Sequence, residues 1–219
     1  MATVLRNFER QNNPWGLPTA DRTKWTDGLD IRVLEPGEEV DVLLFVGCAV
    51  SYDDRAKKTG RAFIKLLQAA GVDFGILGDA EGCCGETARR MGNEYLFQVF
   101  TEQNVETMAE YNFKRIVTQC PHCFNTLKNE YPQLGGDYKV QHHSELLAEI
   151  MPKLESSGLQ DMGNIVLHDP CYLGRYNDVF DAPRQILDQS GASRVEMEFN
   201  RDNSYCCGGG GGQTWMETE

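Results

Sequence analysis

The sequence has few basic residues and no long apolar run, and each shortage excludes a class of protein. Lysine and arginine number 21 against 33 aspartates and glutamates, so the formal net charge of the 219-residue chain is -12. Surfaces that bind nucleic acid or anionic lipid need clustered positive charge, which this composition argues against. The strongest apolar run, residues 40–50, contains Asp41 and is shorter than the roughly 18 residues of a membrane-spanning helix.

The N-terminus also lacks the apolar core of a secretory signal, because its first ten residues include Arg6, Glu9 and Arg10. We therefore expect a cytoplasmic protein, located at the periphery of the inner membrane only where partners hold it there. In a reducing compartment disulfides are disfavoured, and clustered cysteines more often bind metal or perform redox chemistry.

Cysteine is absent outside two clusters. The first cluster contains Cys48, Cys83, Cys84, Cys120 and Cys123, and the second contains Cys171, Cys206 and Cys207. In both clusters thirty-four residues separate the first cysteine from a Cys-Cys-Gly motif. Thiols that served as small apolar core residues would leave a few strays elsewhere. The repeated spacing therefore indicates that all eight cysteines serve one kind of chemistry.

From residue 41 onward apolar runs alternate with amphipathic segments, which predicts an α/β fold. The predicted strands cover 42–46, 72–77, 114–118, 138–141, a segment beginning at 164, and 194–199. The predicted helices cover 53–70, 86–110, a short segment from Cys123 to about Tyr131, 144–154 with Ser144 as N-cap, and 181–190. The continuous apolar run at 42–46 is typical of a central parallel strand that is buried on both faces.

An internal duplication divides the chain into two halves. Residues 164–171 resemble 41–48, and Arg184 follows Cys171 by 13 residues just as Arg61 follows Cys48. A period of about 123 residues is too long for a solenoid and predicts two similar βαβ-type halves with parallel sheets. We assign an N-terminal arm to 1–37, a first domain to 38–157 and a second domain to 158–219, and expect the two arginines to brace the halves or to balance charge.

Each cysteine loop of the first half follows a predicted strand. The carboxyl ends of parallel strands meet at one edge of a sheet, so three loops should deliver five thiols to one place. Zinc takes four ligands, usually as paired cysteines, and a cubane cluster also takes four. Five thiols with two adjacent favour a polynuclear iron–sulfur cluster. Gly85 would allow a positive φ there, at the start of the helix predicted over 86–110.

Other interpretations of the cysteines stay open at this point. The first cluster could instead hold structural zinc, form a metal-free redox dithiol or contain buried thiols without a ligand role. In the second cluster, which has three cysteines, zinc or an empty site competes with an iron–sulfur cluster. In the first cluster a Cys-x-x-Cys begins at Cys120, 35 positions after Gly85. A matching Cys-x-x-Cys 35 positions after Gly208 would lie beyond residue 219, the last of the sequence. We therefore expect the chain to be a piece of a longer polypeptide.

All four histidines lie near cysteine loops or predicted strand ends. They are His122, His142, His143 and His168. His168 is the candidate proton donor, because the segment His168-Asp-Pro-Cys171 puts it beside the second cluster. The alternative is that His168 only fixes its loop through a hydrogen bond.

The cysteine pattern resembles the duplicated cysteine-rich CCG domain of heterodisulfide reductase catalytic subunits and their relatives. Those relatives include iron–sulfur oxidoreductases linked to electron-transferring flavoprotein. The similarity extends over about residues 13–219. The phrases that carry it beyond the cysteines are Asn13-Pro-Trp-Gly16, Cys120-Pro-His-Cys-Phe-Asn-Thr126 and His168-Asp-Pro-Cys-Tyr-Leu-Gly-Arg-Tyr-Asn177.

The resemblance implies a non-cubane [4Fe-4S] cluster at the first motif. Its ligands by that resemblance are Cys48, Cys83, Cys84, Cys120 and Cys123. Cys171, Cys206 and Cys207 match the opening of a second motif whose closing pair is missing, so that site would hold iron–sulfur or zinc.

The implied activity is reduction of a disulfide, or oxidation of thiols, in two one-electron steps, with His168 protonating the leaving thiolate. The implied partners are a ferredoxin-like or flavoprotein subunit and a small or protein-borne disulfide or thiol substrate. Two alternatives are an electron-transfer subunit between a flavoprotein and a quinone, and a zinc-stabilised structural module.

Overall fold

The computed structural model describes residues 2–154 and 162–216. The helices are Ala2–Gln11 (α1), Gly47–Tyr52 (α2), Asp54–Ala69 (α3), Glu86–Arg90 (α4), Glu94–Met108 (α5), Pro121–Asn125 (α6), His143–Ile150 (α7) and Asp181–Gln189 (α8). The strands are Glu39–Phe45 (β1), Phe74–Gly75 (β2), Asn112–Thr118 (β3), Val140–His142 (β4), Asn164–Val166 (β5) and Ser193–Val195 (β6).

Strand β1 lies inside a four-stranded parallel sheet with the order β2-β1-β3-β4. Leu43 of β1 pairs with Gly75 on one side and with Ile116 on the other. Leu43 and Phe45 enter one core cluster, and Val42 and Leu44 enter another, so both faces of the sheet are covered. This confirms the prediction of a central parallel strand, since none of these four residues is more than 2% exposed.

The second half forms its own small parallel sheet from β5 and β6, with Ile165 paired to Arg194. Helix α8 connects the two strands, as the βαβ prediction requires. The predicted boundary between the domains, after residue 157, lies outside the described residues. No helix within 2–154 and 162–216 combines the length and apolar character needed to cross a membrane.

The N-terminal arm packs on the first half. Phe8 of α1 contacts Phe100 of α5, with ring centroids 5.7 Å apart. Trp25, in a short 3-10 turn, is 3% exposed and joins the core between β1 and α3. The arm is therefore part of the body that surrounds the cysteine loops.

Several predicted boundaries are wrong for local reasons. The single helix predicted over 86–110 is two helices, because the chain turns at Gly92, whose φ is +84°. Strand β2 has two residues instead of the predicted six. Helix α7 begins at His143, and its N-cap is His142, whose ring accepts a hydrogen bond from the backbone N–H of Ser144. Histidine is uncommon at this position, so the serine misled the prediction.

Other predicted elements shift or end early. The segment after Cys123 becomes α6 followed by a π-helical turn over Thr126–Glu130. Strand β4 lies two residues later than predicted at its start, and β6 is shorter than the predicted 194–199. The carboxyl ends of β1 and β3 nevertheless lie where predicted, and these ends position the cysteine loops.

The two neighbouring histidines at the start of α7 make the stability of the fold depend on pH. Burial lowers the pKa of His142 to about 3, with repulsion from His143 contributing, and burial lowers that of His143 to about 4. Both values lie below the unfolded value of about 6.5, so the stabilisation is complete above that pH and is lost as pH falls toward the folded values. As the pH falls from about 6 to about 5, each histidine should lower the free energy of unfolding by about 1 kcal/mol.

Urea unfolding at the two pH values measures this slope. His143→Gln should reduce the slope by nearly half. Equal slopes in wild type and His143→Gln would contradict the assignment.

Candidate functional site

Five cysteines of the first half line one cavity of about 320 Å³ at the carboxyl edge of the large sheet. Cys48 is in α2 directly after β1, and Cys120 and Cys123 follow β3. Cys83 and Cys84 are in the loop before α4. Strand ends meet at this edge of a parallel sheet, which brings these side chains together.

Three of the five thiols are buried, whereas Cys48 and Cys120 are half-buried. Cys83, Cys84 and Cys123 are 4%, 5% and 6% exposed. The Sγ atoms of Cys84 and Cys123 are 3.3 Å apart. All eight cysteines of the chain are free thiols.

Hydrogen bonds divide the thiols of the cavity into two kinds. Bonding to Cys120 and Cys84, together with burial, holds the pKa of Cys123 well above its usual range. Bonding to Cys83, together with burial, does the same for Cys48. Hydrogen bonding to Cys123 lowers the pKa of Cys84 and of Cys120. Five thiolates therefore cannot share this volume without added positive charge.

These residues fit an iron–sulfur cluster. Soft thiolate ligands suit iron–sulfur clusters, and bound iron supplies the positive charge that five clustered thiolates need. Of the adjacent pair, Cys83 hydrogen-bonds to Cys48 and Cys84 to Cys123, so the two sulfurs reach different segments of the site, which suits ligation of different irons. Within the described ranges no group of three or more His, Cys, Asp or Glu side chains is arranged around a single metal position.

The rest of the cavity wall comes from regions far apart in the chain. The remaining lining residues are Pro14, Trp15, Ala49, Glu86, Thr87, His122, Gly209, Gly210, Gly211, Gly212, Thr214 and Trp215. Trp15 of the arm meets Trp215 of the second half edge-on, with ring centroids 4.9 Å apart. The sequence did not predict this wall, because no pattern near Trp15 or near Trp215 indicates that the two residues are in contact.

The glycine run is needed where it passes His122. A Cβ on Gly210 would lie 2.4 Å from Cε1 of the His122 ring. This distance is too short for a real Cβ contact, so a side chain at position 210 would clash with His122. The Nδ1 atom of His122 is 2.8 Å from Oε1 of Glu86, a carboxylate with a 4% exposed side chain. His122 is thus the histidine of the cavity, held between a buried carboxylate and the glycine run.

His168 is exposed and is not among the lining residues. Its role as proton donor stays a prediction. His142 and His143 are buried at the start of α7, where Nε2 of His142 is 3.0 Å from the carbonyl oxygen of Gln119. Through this contact His142 supports the backbone of the residue that precedes Cys120.

The second cysteine cluster repeats the local geometry of the first without its burial. The Gly208 N–H donates to Sγ of Cys206 at 3.5 Å, as the Gly85 N–H donates to Sγ of Cys83 at 3.4 Å. Both glycines have positive φ, +75° and +82°, as predicted for Gly85. Cys206 and Cys207 are exposed and Cys171 is half-buried, and none of them lines the cavity.

Comparisons with known proteins point to the same chemistry. The chain is 45% identical to the EtfAB:quinone oxidoreductase of Syntrophomonas wolfei, over 99% of the chain and 31% of that protein. It is 44% identical to the probable iron-sulfur-binding oxidoreductase FadF of Bacillus subtilis, over 99% of the chain and 32% of that protein. It is 33% identical to one subunit of the dihydromethanophenazine:CoB--CoM heterodisulfide reductase of Methanosarcina mazei, over 92% of the chain and 50% of that subunit.

The chain thus spans between 31% and 50% of the length of these relatives. The CCG family, described as a cysteine-rich domain, matches residues 42–128 and 165–219. The two matched segments carry the two cysteine clusters, which is the duplication seen in the sequence. The chain therefore belongs to the CCG cysteine-rich domain family, which includes iron–sulfur oxidoreductases.

Proposed function

We propose that this chain is the portion of an iron–sulfur oxidoreductase that holds a non-cubane [4Fe-4S] cluster and reduces a disulfide, or oxidises thiols. The ligands would be Cys48, Cys83, Cys84, Cys120 and Cys123. The observation that carries the proposal is the convergence of five thiols on one cavity. Five exceeds the four ligands of zinc or of a cubane cluster.

The reaction takes up two electrons and two protons, breaks one S–S bond and releases two thiols. When bound, the cluster supplies one-electron transfer and an iron atom that accepts sulfur. The side chains of Trp15, Trp215 and Thr87 would bound the space left for the substrate. Glu86 orients the ring of His122 in the wall, and His168 stays the predicted proton donor.

The electrons would come from a ferredoxin-like or flavoprotein subunit. We assign the arm 1–37 and the domain 38–157 to the catalytic site, and 158–219 to a second domain that closes it. The exposed cysteines of that domain would bind iron–sulfur or zinc only with further ligands.

Electron relay between a flavoprotein and a quinone is the second candidate function. The higher identities favour it, because the EtfAB:quinone oxidoreductase and FadF share 45% and 44% with this chain, against 33% for the heterodisulfide reductase relative. In a relay the cluster would exchange electrons without binding a substrate sulfur. The response of the cluster to thiols therefore separates the two candidates.

Metal and sulfide analysis of anaerobically purified chain, combined with low-temperature EPR of oxidised samples, tests the proposal. We expect about four irons and about four acid-labile sulfides per chain, and an EPR signal that changes when a thiol is added. A cluster that ignores thiols would favour the relay. Zinc without sulfide would contradict both and indicate a structural module.

A further inference from the structure

Arg22 is a charged residue of the arm that is buried beneath the cysteine loops. It lies between two short 3-10 turns, Thr19–Asp21 and Lys24–Thr26, and is 3% exposed. A buried guanidinium is costly unless hydrogen bonds and an opposite charge compensate it. The hydrogen-bond partners of Arg22 therefore indicate why this charged side chain is buried.

The guanidinium joins helix α2, which carries Cys48, to the loop that carries Cys83. One terminal nitrogen donates to Oε1 of Glu81 at 2.6 Å and to the carbonyl oxygen of Gly82 at 3.1 Å. The other donates to Sγ of Cys48 at 3.7 Å. Arg22 thus contacts one cysteine directly and the residue preceding another.

Glu81 extends this network to the backbone that leads into Cys48. Its carboxylate accepts hydrogen bonds from the N–H of Val46 at 2.7 Å and of Gly47 at 2.8 Å. Glu81 is 2% exposed, so its charge depends on these donors and on Arg22. The ion pair of Arg22 and Glu81 fixes the end of β1. The Nε–H of Arg22 has no acceptor within the described part of the chain, so the guanidinium retains a free donor that could bind sulfur.

We propose that Arg22 is a positioning residue for Cys48 and that its hydrogen bond to this sulfur raises the reduction potential of the bound cluster. The inference rests on the proposed cluster at the first motif. Hydrogen bonds to ligand sulfurs and nearby positive charge favour the more negative, reduced form of an iron–sulfur cluster. Outer residues that hold ligands in place also slow the loss of metal.

The arm offers a matched control in Arg61 of α3. This arginine also ties the arm to the body, through hydrogen bonds to the carbonyl oxygens of Trp25 at 2.6 Å and Asp27 at 2.9 Å. Both of these acceptors are backbone atoms, and neither belongs to a cysteine. If weaker attachment of the arm were the only cause, the midpoint potential and the rate of iron release should change equally in variants of Arg61 and of Arg22.

Redox titration followed by EPR, with iron release to a chelator, tests the proposal on Arg22→Gln, Arg22→Lys and Arg61→Gln. We expect a more negative midpoint potential and about ten-fold faster iron release in Arg22→Gln. Arg22→Lys, which keeps the charge, should lie between Arg22→Gln and wild type, and Arg61→Gln should match wild type.

Equal potentials in wild type and Arg22→Gln would overturn the inference, as would equal shifts in Arg22→Gln and Arg61→Gln. If Arg22→Gln holds no iron, Arg22→Lys decides: a potential below that of wild type supports the role, and an unchanged potential refutes it. Wild-type chain without iron would refute the proposed cluster itself, which separates the two failures.

Discussion

Cys84→Ala is expected to lower the iron content of the anaerobically purified chain from about four atoms to less than about one. Cys84 is 5% exposed and lies 3.3 Å, Sγ to Sγ, from Cys123, so it connects the Cys-Cys pair to helix α6, which follows β3. Removing this sulfur leaves a bound cluster short of a ligand at the centre of the cavity. Iron and acid-labile sulfide should fall together.

Cys207→Ala is the matched control, because Cys207 occupies the corresponding position of the second cluster and is exposed. It should keep the iron of the first site. Cys84→Ser, which retains the shape of the side chain, distinguishes ligand loss from a packing defect and should lose iron as well. Full iron content in Cys84→Ala and Cys84→Ser would argue against ligation by all five thiols.

Arg184→Met should lower the free energy of unfolding of the second half by about 3–5 kcal/mol, because it leaves a buried carboxylate without its partner. The two terminal nitrogens of Arg184 donate to the two carboxylate oxygens of Asp169 at 2.7 and 2.8 Å. The Asp169 and Arg184 side chains are 3% and 4% exposed. Arg184 also binds Glu196 beyond β6 and the carbonyl oxygen of Phe180.

Amide hydrogen exchange in β5 and β6 measures this loss. Arg194→Met removes a more exposed arginine that pairs with Asp188 and Glu196, and it should have a much smaller effect. Comparable protection in Arg184→Met and wild type would show that the network does not hold the half together. The bidentate pair fulfils the prediction that Arg184 braces its half, whereas Arg61 binds only carbonyl oxygens of the arm.

The large sheet and the meeting of the thiols could be predicted from the sequence, because both follow from local patterns. A buried parallel strand appears as a continuous apolar run, and β1 is such a run. The cysteines follow strand ends, and strand ends of one parallel sheet meet at one edge. The repeat of thirty-four residues indicated the second half in the same way.

The remaining features depend on contacts that no local pattern encodes. Arg22 lies in a polar segment rich in turn residues, where a charged side chain is normally exposed. Its burial follows from Glu81, which is 59 residues away in sequence. The His142 cap and the turn at Gly92 were missed because serine is a commoner cap and because an isolated glycine is often tolerated within a helix.

The wall in which Trp15 meets Trp215 has a consequence for how the protein folds. These residues are two hundred positions apart, and contacts of such separation form after local ones, because loop-closure entropy must be overcome first. The strands and loops that bear the five thiols lie within residues 39–123 and need no residue of the second half to pair. We therefore expect the thiol-lined cavity to form first during folding and to stay open until the two distant tryptophans meet, which would leave an interval for iron and sulfide to enter.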